Sequence, residues 1–352
     1  MQRQSTTRLI AATAAPIAAA ALGLTLGPPA LAAGTGYVAL GDSYSSGVGT
    51  RSYINDGTTC QRSVYAYPSL DAAALGLSLT FRACSGATVA DVTNTQLSAL
   101  TTTTAYVTIS VGGNDAGFSS VLTTCAQPSW LSNCYGAIDK ATTTINGTVP
   151  GRLATLYGSI RAKAPNARVI VVGYPRIFNG EDCNAFTWFS PTEESRLNAT
   201  ADLLNSRTAT AAANAGFTFV NPTSRFVGHA VCDSPEWLNG LSSPVSDSYH
   251  PNVAGHRDGY AVVTKPAFGL PTALTAAAAT TRAERSAATL TRDARRYAAA
   301  DATIAPERFV APDLTTPAAR AAAARAGVDL TSRASIDGAD RSTDARQLAA
   351  QR

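Results

Sequence analysis

The sequence predicts an α/β fold of three layers, with a central, mainly parallel sheet of about five strands between two layers of helices. Three observations predict it. Short apolar or β-branched runs recur from residue 34 to about 270, helix-like stretches separate them, and polar motifs fall where those runs stop. Strand–helix alternation implies parallel strands covered on both faces. In such sheets the active site lies beyond the C-terminal strand ends.

The strands follow in order. Residues 37–40 form a short apolar run that ends at Gly41, and 77–83 alternates with period two. Residues 106–111 are β-branched and stop at Gly112-Gly113; 168–172 stops at Gly173, and 217–220 stops at Asn221-Pro222. Between them lie helical stretches over 65–75, 138–164 with a break at Pro150, and 192–215.

Composition sets the outer bounds. The chain has 352 residues, 45% hydrophobic and 15% charged, which supports a packed core over most of its length. Arg3 and Arg8 precede an apolar run over 10–26, a Pro28-Pro29 break and a small-x-small site at Ala30-Leu31-Ala32. Residues 1–33 therefore read as a secretory signal; the competing reading is an uncleaved anchor, for which the run is marginal. We expect an exported protein with no stable transmembrane anchor. Without Arg3 and Arg8, 26 basic residues stand against 24 acidic, a surplus of +2. That is too small a surplus to indicate nucleic-acid binding. Six cysteines without a C-x-x-C pair suit three disulfides outside the cell. Cys125 and Cys134 are close enough for a local bridge, while spacing leaves the other pairings open.

Beyond residue 270 the composition turns to Ala, Thr and Arg, with few large apolar residues. The expected organisation is a signal over 1–33, a catalytic domain over 34–270 and a tail over 271–352, partly helical or disordered. A small helical accessory domain is the alternative. So little apolar area favours the tail, because it offsets little of the entropy of ordering.

The chemistry centres on Gly41-Asp42-Ser43-Tyr44-Ser45-Ser46-Gly47. A serine hydroxyl attacks a carbonyl only when a base takes its proton, and it must stand on a tight turn. A strand that ends in Gly-Asp-Ser and enters a helix gives that presentation, with backbone N–H groups facing the developing oxyanion. On its own the tripeptide reads more often as a capped helix start. The base has three candidates, His229, His250 and His256. His250 stands in Asp247-Ser248-Tyr249-His250-Pro251, where an acid three residues earlier can fix the imidazole tautomer. Gly113-Asn114-Asp115 and Cys84-Ser85-Gly86-Ala87 follow successive strands, so the Asn114 amide and the Gly86 N–H can serve as oxyanion donors.

From about Tyr37 to Gly255 these blocks resemble the SGNH (GDSL-type) hydrolase superfamily, which carries Ser, Gly, Asn and His in this order. The resemblance implies Ser43 as nucleophile, His250 as base, and Ser43, Gly86 and Asn114 as the oxyanion hole. It implies Asp247 as the orienting acid, with the main-chain carbonyl of Ser248 as the rival. The six-cysteine frame and the Gly-Asp-Ser-Tyr-Ser-Ser-Gly opening also resemble secreted actinobacterial lipases and esterases. That subgroup implies the bridges Cys60–Cys84, Cys125–Cys134 and Cys183–Cys232.

The expected activity is acyl transfer from an ester or lipid substrate through a covalent intermediate, with no metal or organic cofactor, in a monomer. Tyr44, Phe118, Trp130, Tyr174, Phe178, Phe186, Trp188 and Phe189 are candidates to line an acyl site. Carbohydrate deacetylation is the enzymatic alternative, and a catalytically silent binding protein is the alternative from another class.

Overall fold

Apolar residues dominate the three central strands because both faces of the sheet are covered there: Tyr37, Ala39, Leu40, Val107, Ile109 and Ile170 are all fully buried. The strands are β1 (Gly36–Gly41), β2 (Ser78–Phe81), β3 (Tyr106–Ser110), β4 (Arg168–Val172) and β5 (Thr218–Val220). They form one parallel sheet in the order β2-β1-β3-β4-β5, with Tyr37 opposite Leu79 and Tyr106. The order reverses at β1, whose neighbours β2 and β3 lie to either side, so a crevice opens beyond its C-terminal end. This computed structural model describes residues 34–306 and 308–351, together with Met1, Gln2, Gln4 and Ser5. Apart from those four residues, the expected signal segment lies outside the described residues.

Strand β2 is shorter than the alternation over 77–83 predicts. Arg82 and Ala83 both donate their N–H to the Ala39 carbonyl, which ends the ladder. The Arg82 side chain turns inward to an ion pair instead of continuing the pleat.

The helices are α1 (Ser43–Ser46), α2 (Tyr67–Leu75), α3 (Val89–Asp91), α4 (Phe118–Cys125), α5 (Cys134–Gly147), α6 (Val149–Lys163), α7 (Pro191–Asn214) and α8 (Ala261–Ala267). Pro150 begins α6 rather than kinking one long helix, since proline fits the first turn where no N–H partner is needed. Ser190 and Glu193 form a capping box at the start of α7. Helices α4 to α7 pack on one another, and α2 packs with α8, giving the two outer layers. Disulfides join Cys60–Cys84, Cys125–Cys134 and Cys183–Cys232.

Residues beyond 270 do not hang free. They form α9 (Ala276–Arg285), α10 (Ala287–Arg295), α11 (Ala298–Asp301), α12 (Pro317–Ala326) and α13 (Arg333–Ala349). Leu290, Ile304 and Phe309 join the main core, while Val328 and Ile336 pack on Trp188 with Trp130 beside them. The extension contributes little apolar area of its own, but the body supplies the matching surface. It also supplies two buried arginines, Arg62 and Arg82, as partners for Asp301.

Candidate active site

Strand β1 delivers Ser43 through a turn that only glycine can make at Gly41. Its φ is +125°, and a Cβ there would stand 2.3 Å from the Ser110 carbonyl oxygen. The Gln96 amide brackets this peptide: Gly41 N–H donates to its Oε1 and its Nε2 donates to the Gly41 carbonyl, both at 2.8 Å. Asp42 then caps α1, accepting from the Tyr44 N–H at 3.1 Å. The buried Asp42 carboxylate also accepts from Ser110 Oγ and from the Tyr174 hydroxyl. Burial, reinforced by the charge of Asp42, pushes the Tyr174 phenol well up, so it stays a proton donor to Asp42. Strands β1, β3 and β4 thus converge on the residue before Ser43.

His250 meets Ser43 from a loop more than two hundred residues away. Its Nε2 lies 2.9 Å from Ser43 Oγ, and its Nδ1 lies 2.9 Å from the Ser248 carbonyl oxygen. A carbonyl can only accept, so Nδ1 carries the proton and the Nε2 lone pair faces the serine hydroxyl. Asn239 ties the loop down: its N–H donates to the His250 carbonyl, its carbonyl accepts from Tyr249, and its amide donates to the Gly49 and Asp247 carbonyls. Tyr44 donates to the Tyr249 carbonyl at 2.7 Å and packs its ring 5.1 Å from the imidazole.

The preference for Asp247 over Ser248 behind the imidazole is corrected by this geometry. Asp247 ends a 3-10 turn, after which extended Ser248 brings its carbonyl to Nδ1. The Asp247 carboxylate instead accepts from the Tyr53 hydroxyl at 2.5 Å, and that hydroxyl accepts from the Gly49 N–H at 3.1 Å. The acid therefore braces the loop that carries His250 rather than touching the ring.

Gly86 and Asn114 come to the same rim. Cys84 N–H donates to the Gly41 carbonyl at 3.0 Å, which sets the Cys84–Ala87 turn beside the Ser43 turn. Gly86 adopts a φ of +82°, the left-handed region that suits glycine. Asn114 Nδ2 donates one hydrogen to the Ala87 carbonyl at 3.0 Å, and its second N–H can serve a substrate oxygen. Ser43 and Asn114 line one cleft that runs between α4, α5 and α7.

The remaining histidines stand elsewhere. His256 is fully buried, takes a hydrogen bond from the Tyr67 N–H, and is held neutral because burial, aided by His250, lowers its pKa to about 3. His229 stacks on Trp237 and bonds the Pro235 carbonyl. Of the aromatic candidates, Tyr44, Phe118, Tyr174 and Phe178 line the cleft. Phe189 packs on Phe178 and Tyr249, Phe186 is exposed, and Trp130 and Trp188 pack the extension. Sequence reading did not single out Gln96, Asn239 or Tyr53. Each acts through a partner distant in the chain, with no local pattern to mark it.

Residues 39–257 match the GDSL-like Lipase/Acylhydrolase family. The chain belongs to this family. It is a carboxylic ester hydrolase of the GDSL lipase/esterase type, in keeping with the chain order of Ser43, Gly86, Asn114 and His250. Lipase 1 of Streptomyces coelicolor is 45% identical over 232 residues, which are 65% of this chain and 85% of that protein. The crystal structure of an extracellular lipase from Streptomyces rimosus matches with a TM-score of 0.62 at 42% identity, covering 66% of this chain and 98% of that one. Phospholipase A1 from Streptomyces albidoflavus also has a TM-score of 0.62 and 42% identity, covering 67% and 99%. The family match ends before α8, so α9 to α13 lie outside it.

Proposed function

We propose that this family member is an exported lipase that cleaves fatty-acyl esters through an acyl-enzyme on Ser43. His250 Nε2 takes the Ser43 proton as Oγ attacks the ester carbonyl. The Ser248 carbonyl stabilises the imidazolium that forms. The oxyanion is received by the Ser43 and Gly86 N–H groups and the Asn114 amide, pre-oriented where negative charge develops. His250 then protonates the leaving alcohol, and water activated by the same ring releases the acid.

The observation that carries this reading is the Ser43–His250 contact of 2.9 Å at the mouth of an apolar cleft. Beyond the polar mouth the cleft is lined by Phe118, Val121, Leu122, Ile145, Leu197 and Leu204, which suit an acyl chain and offer a sugar little to bond. The Streptomyces relatives described as lipases and as a phospholipase A1 support glycerolipids as substrates. The sequence of 1–33, the three disulfides and the relative described as extracellular support export. The reading includes a monomer without a nucleic-acid partner. Among the described residues no helix is long and apolar enough to cross a membrane.

Chain-length kinetics test it. Each methylene buried in the cleft adds about 0.8 kcal/mol of binding. On p-nitrophenyl esters from acetate to palmitate, kcat/KM is expected to rise at least about tenfold from acetate to the medium chains. Higher activity on acetylated xylan, with little on medium or long chains, would overturn the lipase reading.

A further inference from the structure

Four charged side chains are sealed inside the molecule beside the oxyanion loop. Arg62, Arg82 and Asp301 are fully buried and Asp56 is 3% exposed. Arg62 pairs with Asp56 and with Asp301, both at 2.7 Å, and Arg82 holds both oxygens of Asp301 at 2.8 and 3.1 Å. Two cations thus face two anions, and the cluster is neutral. Three of its members come from the family domain. The fourth, Asp301, ends α11 in the extension that lies outside the family match.

The arginines hold backbone as well as charge. Arg62 Nε donates to the Ala83 carbonyl at 2.9 Å and its Nη2 to the Arg82 carbonyl at 3.3 Å. These two residues lead directly into the Cys84–Ala87 turn that presents Gly86, and Arg62 itself follows Cys60, the disulfide partner of Cys84. Arg82 Nη2 donates to the Thr95 carbonyl at 2.9 Å, one residue before the Gln96 amide that brackets Gly41. Both turns of the candidate oxyanion hole therefore rest on guanidinium groups that pair with Asp301. Tyr297, one turn earlier, lays its ring 3.9 Å from the Arg82 guanidinium carbon.

We propose that Asp301 is a positioning residue for the oxyanion hole, through which the C-terminal extension sets the catalytic rate of the family domain. The proposal rests on the reading of Gly86 as an oxyanion donor. Without the Asp301 charge, Asp56 remains as the partner of Arg62, and Arg82 loses its ion pair. Uncompensated buried charge draws in water or moves the chain, because the desolvated cation is left without a counter-charge. Any such shift displaces the Gly86 and Gly41 peptides, and small misplacements of catalytic groups lower the rate steeply. His250 is spared, since its loop is held by Asn239, Tyr44 and Tyr53 and not by this cluster.

Asp301→Asn in the full chain tests this, with kcat normalised to active sites titrated by a stoichiometric organophosphate. Normalisation removes the effect of a merely lowered folded fraction. The expected result is a kcat about tenfold or more below wild type, KM within about twofold, an unchanged acid limb of the pH profile, and substantial recovery in Asp301→Glu. Tyr297→Leu keeps all four charges and serves if Asp301→Asn does not fold. It is expected to lower kcat by about two- to fivefold at constant KM. A kcat per titrated site equal to wild type in the variant that folds would overturn the proposal, however far its melting temperature falls. A rise in KM in place of the fall in kcat would overturn it as well. Failure of the acyl-enzyme reading looks different: the wild-type protein itself would then give no titratable site.

Discussion

The turns that carry Ser43, Gly86 and Asn114 and the helices beyond residue 270 are held by different physics. The turns are shaped first by local devices at strand ends: a helix cap from Asp42 and left-handed glycines at Gly41 and Gly86. The extension is fixed by contacts that span more than two hundred residues, from Asp301 to Arg62 and Arg82 and from Asp340 to Ser129. Local devices leave a signature in the sequence, because each needs a particular residue at a particular offset. Buried ion pairs leave none, because each partner alone looks like an ordinary surface charge. The His250 loop combines both. Its Asp-x-x-His pattern is local, yet it is braced by Tyr53, 194 residues from Asp247, and by Asn239, which also ties it to Gly49 190 residues away.

Three substitutions sharpen that comparison. Asn114→Ala removes a donor from the pre-organised rim and is expected to lower kcat by about 10²–10³, or roughly 3 kcal/mol, with little change in melting temperature. A loss below about tenfold would mean that the local turns do not build the oxyanion hole. Asp340→Ala strips the acceptor from the buried Ser129 N–H, a hydrogen bond of 2.7 Å between the extension and the body. It is expected to reduce stability by about 1–3 kcal/mol in denaturant titration while kcat stays at wild type. A matching fall in kcat would show that any loosening of the extension slows turnover, and that the Asp301 attachment is not special. Asp247→Asn keeps an acceptor for Tyr53 and leaves the Ser248 carbonyl on the imidazole. Activity should fall by less than about tenfold, against the roughly 10⁴-fold loss seen when a carboxylate in direct contact with the base is neutralised. A loss of the larger size would restore Asp247 as the orienting acid.

Much of the fold is legible because parallel strands buried on both faces must be apolar runs, and four of the five runs here end on glycine or Asn-Pro. The position of Ser43 is legible for the same reason: Gly41-Asp42-Ser43 follows the first such run. The partner of His250 Nδ1 is not. Asp247 and the Ser248 carbonyl are both within reach in sequence, and the choice is made by a 3-10 turn and a tyrosine 194 residues away. The packing of the extension is not legible, because counting its own apolar residues omits the surface it covers. Trp188 from the body meets Val328 and Ile336, and two buried arginines await Asp301. Two aromatics suggested for the acyl site, Trp130 and Trp188, belong to that second interface.

Every step of the proposed chemistry passes through Ser43 Oγ, so labelling by a fluorophosphonate followed by peptide mass spectrometry tests the central claim most directly. The account predicts one adduct per chain, on the peptide that contains Ser43, with labelling abolished in Ser43→Ala and slowed by orders of magnitude in His250→Ala. An adduct on another residue, or undiminished labelling of Ser43→Ala, would contradict it.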